Sequence, residues 1–535
     1  MKTKFYIGLV GDETQESSLV GKDGDTFKVF LNVLLEHAKA KCIDTLPFEP
    51  VLLTNASTKS ERDLCEQARH FNISVEIVPI EIYQNQTSLS ASSNDDWYSF
   101  LINKSNLLLI VQSQDKKTKL DTTLSSHAIV QRVLHPEKDL NEELTYFATN
   151  SEFLPYLFQL NVSGADKNTQ GFVRENELES FAAFMENIRN ISSEINATKK
   201  AHLDQELAEA LNTQATEKYS LSEFYQLSCK FDSLASKNQR KSNIGFWILF
   251  SLTLVLGASF LLYAKVFTNS PWLLIIYLIA YTSGVLTFYQ MNKKAALKKH
   301  LAYRLCAEVL RLKLFQLVSF TGNKVDAFQF EKMLSLSNMR TDWIAHIVRS
   351  LPLHQIEDNS TLNDRKSIIM KHLVDDQLNY FNVKLKGRNK KNGAFAHKSK
   401  LDGIEKWLHR FSLTSMFIVV FCVALMIIVT LTAFKVGVFY ELYPIKNIMM
   451  FVIGFLPLVG LAFEQLIFNF ALEENEMRYH HQISKFRAMK QWMSAANTES
   501  TLIKITNQLC IECAQENFNW YTTRVNRQHK PASGG

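Results

Sequence analysis

The chain lacks several signatures that would assign it quickly. It has no GxxxxGK[ST] run and no GxGxxG, so neither a P-loop nor a dinucleotide fingerprint is encoded. It has no repeat at fixed period and no low-complexity tract. Met1–Val10 carries basic residues, but its apolar run is too short for a secretory signal and turns polar at Gly11. Cysteine is sparse: seven residues, an odd number, scattered from Cys42 to Cys513, with Cys422 inside a hydrophobic stretch. That suits a reducing compartment better than a disulfide framework. Cys510 and Cys513 form a CxxC without a nearby His or second CxxC, which reads as two thiols on a helix face rather than a zinc or redox site. The net charge of +6 has no basic stripe behind it, which argues against nucleic acid as a partner.

Charge is also missing from four stretches, Gly245–Ala264, Trp272–Met291, Ser412–Phe434 and Ile448–Phe463. Each is close to the length an α-helix needs to cross a hydrocarbon core. They form two hairpins separated by a long polar segment, so the chain reads as an integral membrane protein with most of its mass in water. Arg240, Lys241, Lys293, Lys294, Lys298 and Lys299 flank the outer ends of the first hairpin, whereas its turn holds only Lys265. Lys400, Lys406, His409 and Arg410 precede the second hairpin, and Lys435, Glu441 and Lys446 occupy its loop. The positive-inside rule then puts both termini and the middle segment in the cytoplasm.

Residues 1–195 alternate strand and helix patterns. Strands are expected at Phe5–Val10, Pro50–Thr54, Ser74–Pro79, Asn106–Gln112 and Leu154–Asn161. Helices are expected at Phe27–Ala40, Glu61–Phe71, Trp97–Lys104, Leu124–Leu134 and Glu175–Ile195. Such alternation predicts an α/β domain with a parallel, doubly wound sheet. A helical linker follows at 196–243, then a membrane hairpin at 244–291 and a cytoplasmic helical segment at 292–411. A second hairpin at 412–471 and a helical tail at 472–535 complete an all-α membrane unit with cytoplasmic extensions. Within the spans, Ala280-x-x-x-Gly284 is a small-x-x-x-small contact face and Pro457 a kink point.

In parallel α/β sheets ligands bind beyond the carboxyl ends of the strands. Three loops there offer glycine for close backbone approach, hydroxyls, and helix N-termini for phosphate. They supply Gly8, Gly11 and Asp12; Thr54 and Ser57; and Asp121, Thr122, Ser125 and Ser126 as candidate ligand-binding residues. The same residues also serve as turns and helix caps in α/β proteins. Arg304, Glu308 and Arg311 either meet a ligand phosphate or, more often in such helices, brace their neighbours. His480 and His481 have no ligand-spaced partner, and no metal site or catalytic set is expected.

The order of segments carries a resemblance. IGLVG, then VLLTNASTKSERDLCEQARHFNISVEIVP, LLLIVQSQ and TTLSSHAIVQRVL resemble the SLOG superfamily of Rossmann-like domains. These include lonely-guy phosphoribohydrolases and sensors of nucleotide-derived signals. With FDSLASKNQRK, YRLCAEVLRLKLFQL, DDQLNYF and NFNWY the chain is similar to bacterial four-pass membrane proteins bearing an N-terminal SLOG domain. The glycines of the family's late loop are absent near Leu124-Ser125-Ser126. The PGGxGTxxE motif that supplies a catalytic glutamate is also absent. The resemblance therefore implies binding rather than hydrolysis: a sensor–effector whose cytosolic domain takes a nucleotide-derived ligand, such as a cyclic nucleotide or ADP-ribose derivative. It further implies relay to a four-helix membrane effector, a homo-oligomeric state and a setting in anti-phage defence. A membrane-tethered hydrolase using Asp12, Glu13, Glu61, Asp63 or Asp121, or a ligand-free scaffold, are the alternatives.

Overall fold

A computed structural model describes residues 3–10, 25–40, 43, 46–56, 59–78, 101, 105–112, 156–161, 171–172, 177–198, 204–212, 221–319, 342–349, 361–386, 400–436 and 443–526. Its strands are β1 (Thr3–Val10), β2 (Phe48–Thr54), β3 (Ser74–Ile77), β4 (Leu107–Gln112), β5 (Tyr156–Asn161) and β6 (Gly171–Phe172). The helices through the first hairpin are α1 (Asp25–His37), α2 (Lys59–His70), α3 (Glu177–Ala197), α4 (Gln205–Asn212), α5 (Leu221–Lys265), α6 (Trp272–Lys294) and α7 (Ala296–Ser319). Then come α8 (Asp342–Arg349), α9 (Leu362–Ile369), a π-helical turn (Met370–Asp375), α10 (Asp376–Lys386), α11 (Lys400–Val436), α12 (Tyr443–Phe470), α13 (Leu472–Ala495) and α14 (Glu499–Asn526). The chain forms two compact units. One gathers Met1–Leu234, Ala302–Arg365 and Thr506–Thr523; the other gathers Ala235–Leu301, Lys366–Ile505 and Arg524–Gly535.

The first unit is built on a sheet in the order β3-β2-β1-β4-β5-β6. The first five strands are parallel, and the two-residue β6 pairs antiparallel with β5. Phe5, Tyr6, Ile7, Leu9 and Val10 are all buried, so β1 is covered on both faces, as central parallel strands are. Asn106 pins the start of β4. Its backbone N–H donates to the Tyr6 carbonyl at 2.8 Å, and its Oδ1 accepts from Tyr6 N–H at 3.0 Å.

One side of the sheet is closed by aromatic rings from distant parts of the chain. Phe5 stacks on Phe48 at 4.7 Å, and Tyr156 meets Phe181 of α3 edge-on at 5.0 Å. The ring of His346 on α8 lies 5.6 Å from Phe5 and 5.8 Å from Phe184. A helix between the two hairpins thus completes a core begun near residue 5. The same unit contains a helical cluster in which Phe231 of α5 packs on Tyr303 of α7 and Trp343 of α8. The Tyr303 hydroxyl donates to Glu194 at 2.8 Å, and Ser228 donates to the Ala307 carbonyl at 2.8 Å. Arg304 pairs with Asp232 and, at 2.6 Å, with Glu308. These contacts brace neighbouring helices, the second of the two roles open to Arg304.

The second unit holds the apolar segments. Four helices are long and apolar enough to cross a membrane, within Phe224–Lys265, Trp272–Ser319, Lys406–Ile428 and Lys446–Gln465. They leave large apolar side chains uncovered, with Phe417 at 73% and Leu461 at 69% exposure. Surfaces of that kind are stable against lipid rather than water. Helix α5 runs 45 residues without interruption, roughly 68 Å at 1.5 Å per residue.

Glycines set the closest helix approaches in this unit. A Cβ on Gly257 would lie 2.1 Å from Leu458 Cδ2, and one on Gly454 would lie 2.9 Å from Leu261 Cδ2, so α5 and α12 meet closely. Gly460 faces Ser415 in the same way between α12 and α11. The expected Ala280/Gly284 face behaves differently: Ala280 is buried, yet a Cβ on Gly284 would meet nothing within 4 Å. Spacing of small residues identifies a surface able to pack closely, and among the described residues no helix takes up that surface at Gly284. Pro457 lies inside α12, and Phe463 packs edge-on against Phe411 of α11 at 4.9 Å.

Each apolar hairpin ends in the same backbone device. Ala295 (φ 45°, ψ 35°) separates α6 from α7, and Ala471 (φ 47°, ψ 53°) separates α12 from α13. Both are left-handed, a conformation that usually selects glycine. The Ala295 N–H donates to the Met291 and Asn292 carbonyls, closing α6, while its carbonyl accepts from Lys299 and opens α7. In the remaining helices of this unit Lys490 meets Asp375 of the π turn at 2.5 Å. Lys366 donates to the Ser494 and Ala496 carbonyls, covering the C-terminus of α13.

Candidate functional site

The strand order reverses between β1 and β4, so the connections leaving these two strands diverge to opposite halves of the sheet. Of the nine candidate ligand residues, Gly8 and Thr54 are described. Gly11, Asp12, Ser57, Asp121, Thr122, Ser125 and Ser126 lie outside the described residues, as do the expected helices at Trp97–Lys104 (Leu101 apart) and Leu124–Leu134. Gly8 and Thr54 sit near the carboxyl ends of adjacent strands, with Gly8 in register with Leu53.

Their surroundings differ. A Cβ on Gly8 would lie 2.4 Å from Ser105 Oγ and 2.7 Å from Leu108 Cδ2, so this glycine is needed for packing within the sheet layer. Thr54 is fully buried and ends β2. Its Oγ1 accepts the Ala56 N–H at 2.8 Å and donates to Glu61 Oε2 at 3.4 Å, while its carbonyl accepts Val78 N–H at 3.0 Å. The turn between them uses Ala56 at φ 54°.

Glu61, outside the nine candidates, is a further polar residue at this strand end. It is only 4% exposed and stands in the first turn of α2, where the helix N-terminus favours a carboxylate. The signal for it was the Thr54-x6-Glu61 spacing, which gains meaning once the turn at Ala56 folds the helix back against the strand end. One turn further along α2, burial pushes the Cys65 thiol up to about 11, with Arg69 opposing and Glu61 reinforcing the shift. The arrangement supplies hydrogen-bond acceptors at the end of β2. Among the described residues, no group of three or more His, Cys, Asp or Glu could hold a metal ion.

Cys510 and Cys513 are buried on α14, and the Cys510 thiol donates to the Leu312 carbonyl at 3.5 Å. Glu464, near the end of the fourth apolar stretch, meets His409 Nδ1 at 3.2 Å between α12 and α11.

No protein-family model matches the chain, and neither a curated protein nor a solved structure matches it. The structure itself defines a class: a small parallel sheet with a mostly helical remainder that includes four helices suited to a multi-pass membrane protein.

Proposed function

We propose that the protein is a membrane-bound sensor–effector whose sheet-containing unit binds a nucleotide-derived signal. The observation that carries this reading is the 3-2-1-4-5 strand order, with a buried Thr54–Glu61 pair at the end of β2. That order is the one used by Rossmann-like sheets, which take nucleotides in the crevice where the order reverses, and a carboxylate beside that crevice can accept from a ligand hydroxyl. Glu61 is the acceptor of that kind in this chain. The SLOG resemblance adds the expectation of a small signalling nucleotide and a setting in anti-phage defence, with a homo-oligomer in a bacterial inner membrane and both termini cytoplasmic.

The relay in this proposal is α5, one continuous helix that carries Ser228 and Phe231 in its N-terminal part and ends in the first apolar stretch. A ligand shifts such a switch only by binding one conformation more tightly than the other. The test is thermal unfolding of the full chain in detergent with a panel of cyclic nucleotides and ADP-ribose derivatives. A sensor is stabilised by at least one ligand. Glu61→Gln then weakens binding by about tenfold or more, the range for loss of a charge-assisted hydrogen bond. Turnover of a panel member would make the protein a hydrolase, and absence of any shift would make it a scaffold.

A further inference from the structure

The second unit contains a cavity of about 850 Å³ at the lysine-rich end of the first apolar hairpin. Three of its lining residues are cationic and come from three successive helices: Lys241 of α5, Lys294 at the end of α6 and Lys298 in the first turn of α7. Among the described residues the lining contains no aspartate or glutamate. Gln290 adds an amide.

The cavity is also apolar in one direction. Ile244 and Ile248 line it from α5, both are exposed, and Ile248 belongs to the charge-free run Gly245–Ala264. Lys241 lies one helical turn before Ile244 on the same helix. Basic charge and lipid-facing hydrocarbon therefore meet within one concavity, across the boundary between the polar and apolar parts of the hairpin. From these features we infer that the cavity binds the headgroup of an anionic phospholipid, with the lysines on the phosphate and the isoleucines beside the acyl chains. Free phosphate would satisfy only the first half of this surface. Basic pockets between membrane helices are suited to such headgroups, at about 1 kcal/mol or fivefold per lysine. The site is distinct from the sheet edge and stands whatever that edge binds.

The test uses the full chain in zwitterionic detergent, titrated with dioleoylphosphatidylglycerol, dioleoylphosphatidylcholine or inorganic phosphate, and followed by thermal unfolding. Phosphatidylglycerol is expected to raise the unfolding midpoint by several degrees, and the other two to leave it in place. K294Q and K298Q should each weaken the response about fivefold, and the K241Q/K294Q/K298Q triple variant should abolish it. A charge-matched K237Q/K265Q/K293Q variant, altered at exposed lysines outside the cavity, should respond like the parent. The single variants decide the matter if the triple variant does not fold. An equal response to phosphatidylcholine or to phosphate alone overturns the assignment. So does a full response from the single and triple variants, or a loss of response in the charge-matched control.

Discussion

Gly8 lies directly against Ser105: a methyl group on Gly8 would sit 2.4 Å from the serine hydroxyl oxygen, with Leu108 and Leu101 closing the remaining space. Gly8→Ala therefore overpacks the sheet layer at its centre. It is expected to lower stability by about 1–3 kcal/mol. Chemical denaturation followed by a near-ultraviolet signal checks this, and an unchanged midpoint would show that the layer accommodates the extra carbon.

The buried Cys65 thiol, pushed up to about 11 by desolvation, makes a pH-dependent contribution. Its folded-state value is raised, so the stabilisation is complete below the ordinary thiol range near 9 and is lost as pH rises from about 9 to about 11. At pH 8 only about one thiol in a thousand is ionised. Mass-spectrometric labelling of native protein with iodoacetamide should leave Cys65 unmodified at pH 8, and rapid modification would contradict the buried placement.

Tyr303→Phe removes the hydroxyl that reaches Glu194 while keeping the ring beside Phe231 and Trp343. A hydrogen bond to a charged group is worth about 1.5–3 kcal/mol. The variant should unfold at a lower temperature, and a Glu194→Gln background should shrink the difference. Additive losses in the double variant would show that the two side chains do not interact.

Gly257→Val places carbon where Leu458 of α12 now sits. Thermal unfolding in detergent should show destabilisation of about 1–3 kcal/mol, partly recovered by adding Leu458→Ala. Recovery at Leu458 but not at Leu261, which faces Gly454 instead, would establish the contact as pairwise.

Ala295→Gly and Ala471→Gly each relieve a left-handed alanine, worth about 1 kcal/mol. Both variants should be more stable than the parent by that amount, opposite to the usual cost of glycine in a helix interior. A lower unfolding midpoint in either variant would mean that its backbone does not hold this conformation.

Much of this architecture was legible residue by residue. The strands at Phe5–Val10, Pro50–Thr54 and Asn106–Gln112 were visible because buried parallel strands are unbroken apolar runs. The four spans were visible because charge is excluded from them. The short antiparallel β6 carries too few residues to show a period. The docking of α8 on β1 was hidden for another reason: an apolar helix face says that it is covered, never by what. The same holds for Thr54 and Glu61, whose meeting depends on a turn at a non-glycine residue. The bends at Ala295 and Ala471 were illegible because alanine favours continuing a helix.

Those two alanines have a mechanical corollary. Only one residue separates α6 from α7, and rotation of Ala295 into the ordinary right-handed well would merge them into a single 48-residue rod, Trp272–Ser319. The elbow is held against the intrinsic preference of its own residue, so the straightened form lies one peptide hinge away and needs no helix to melt.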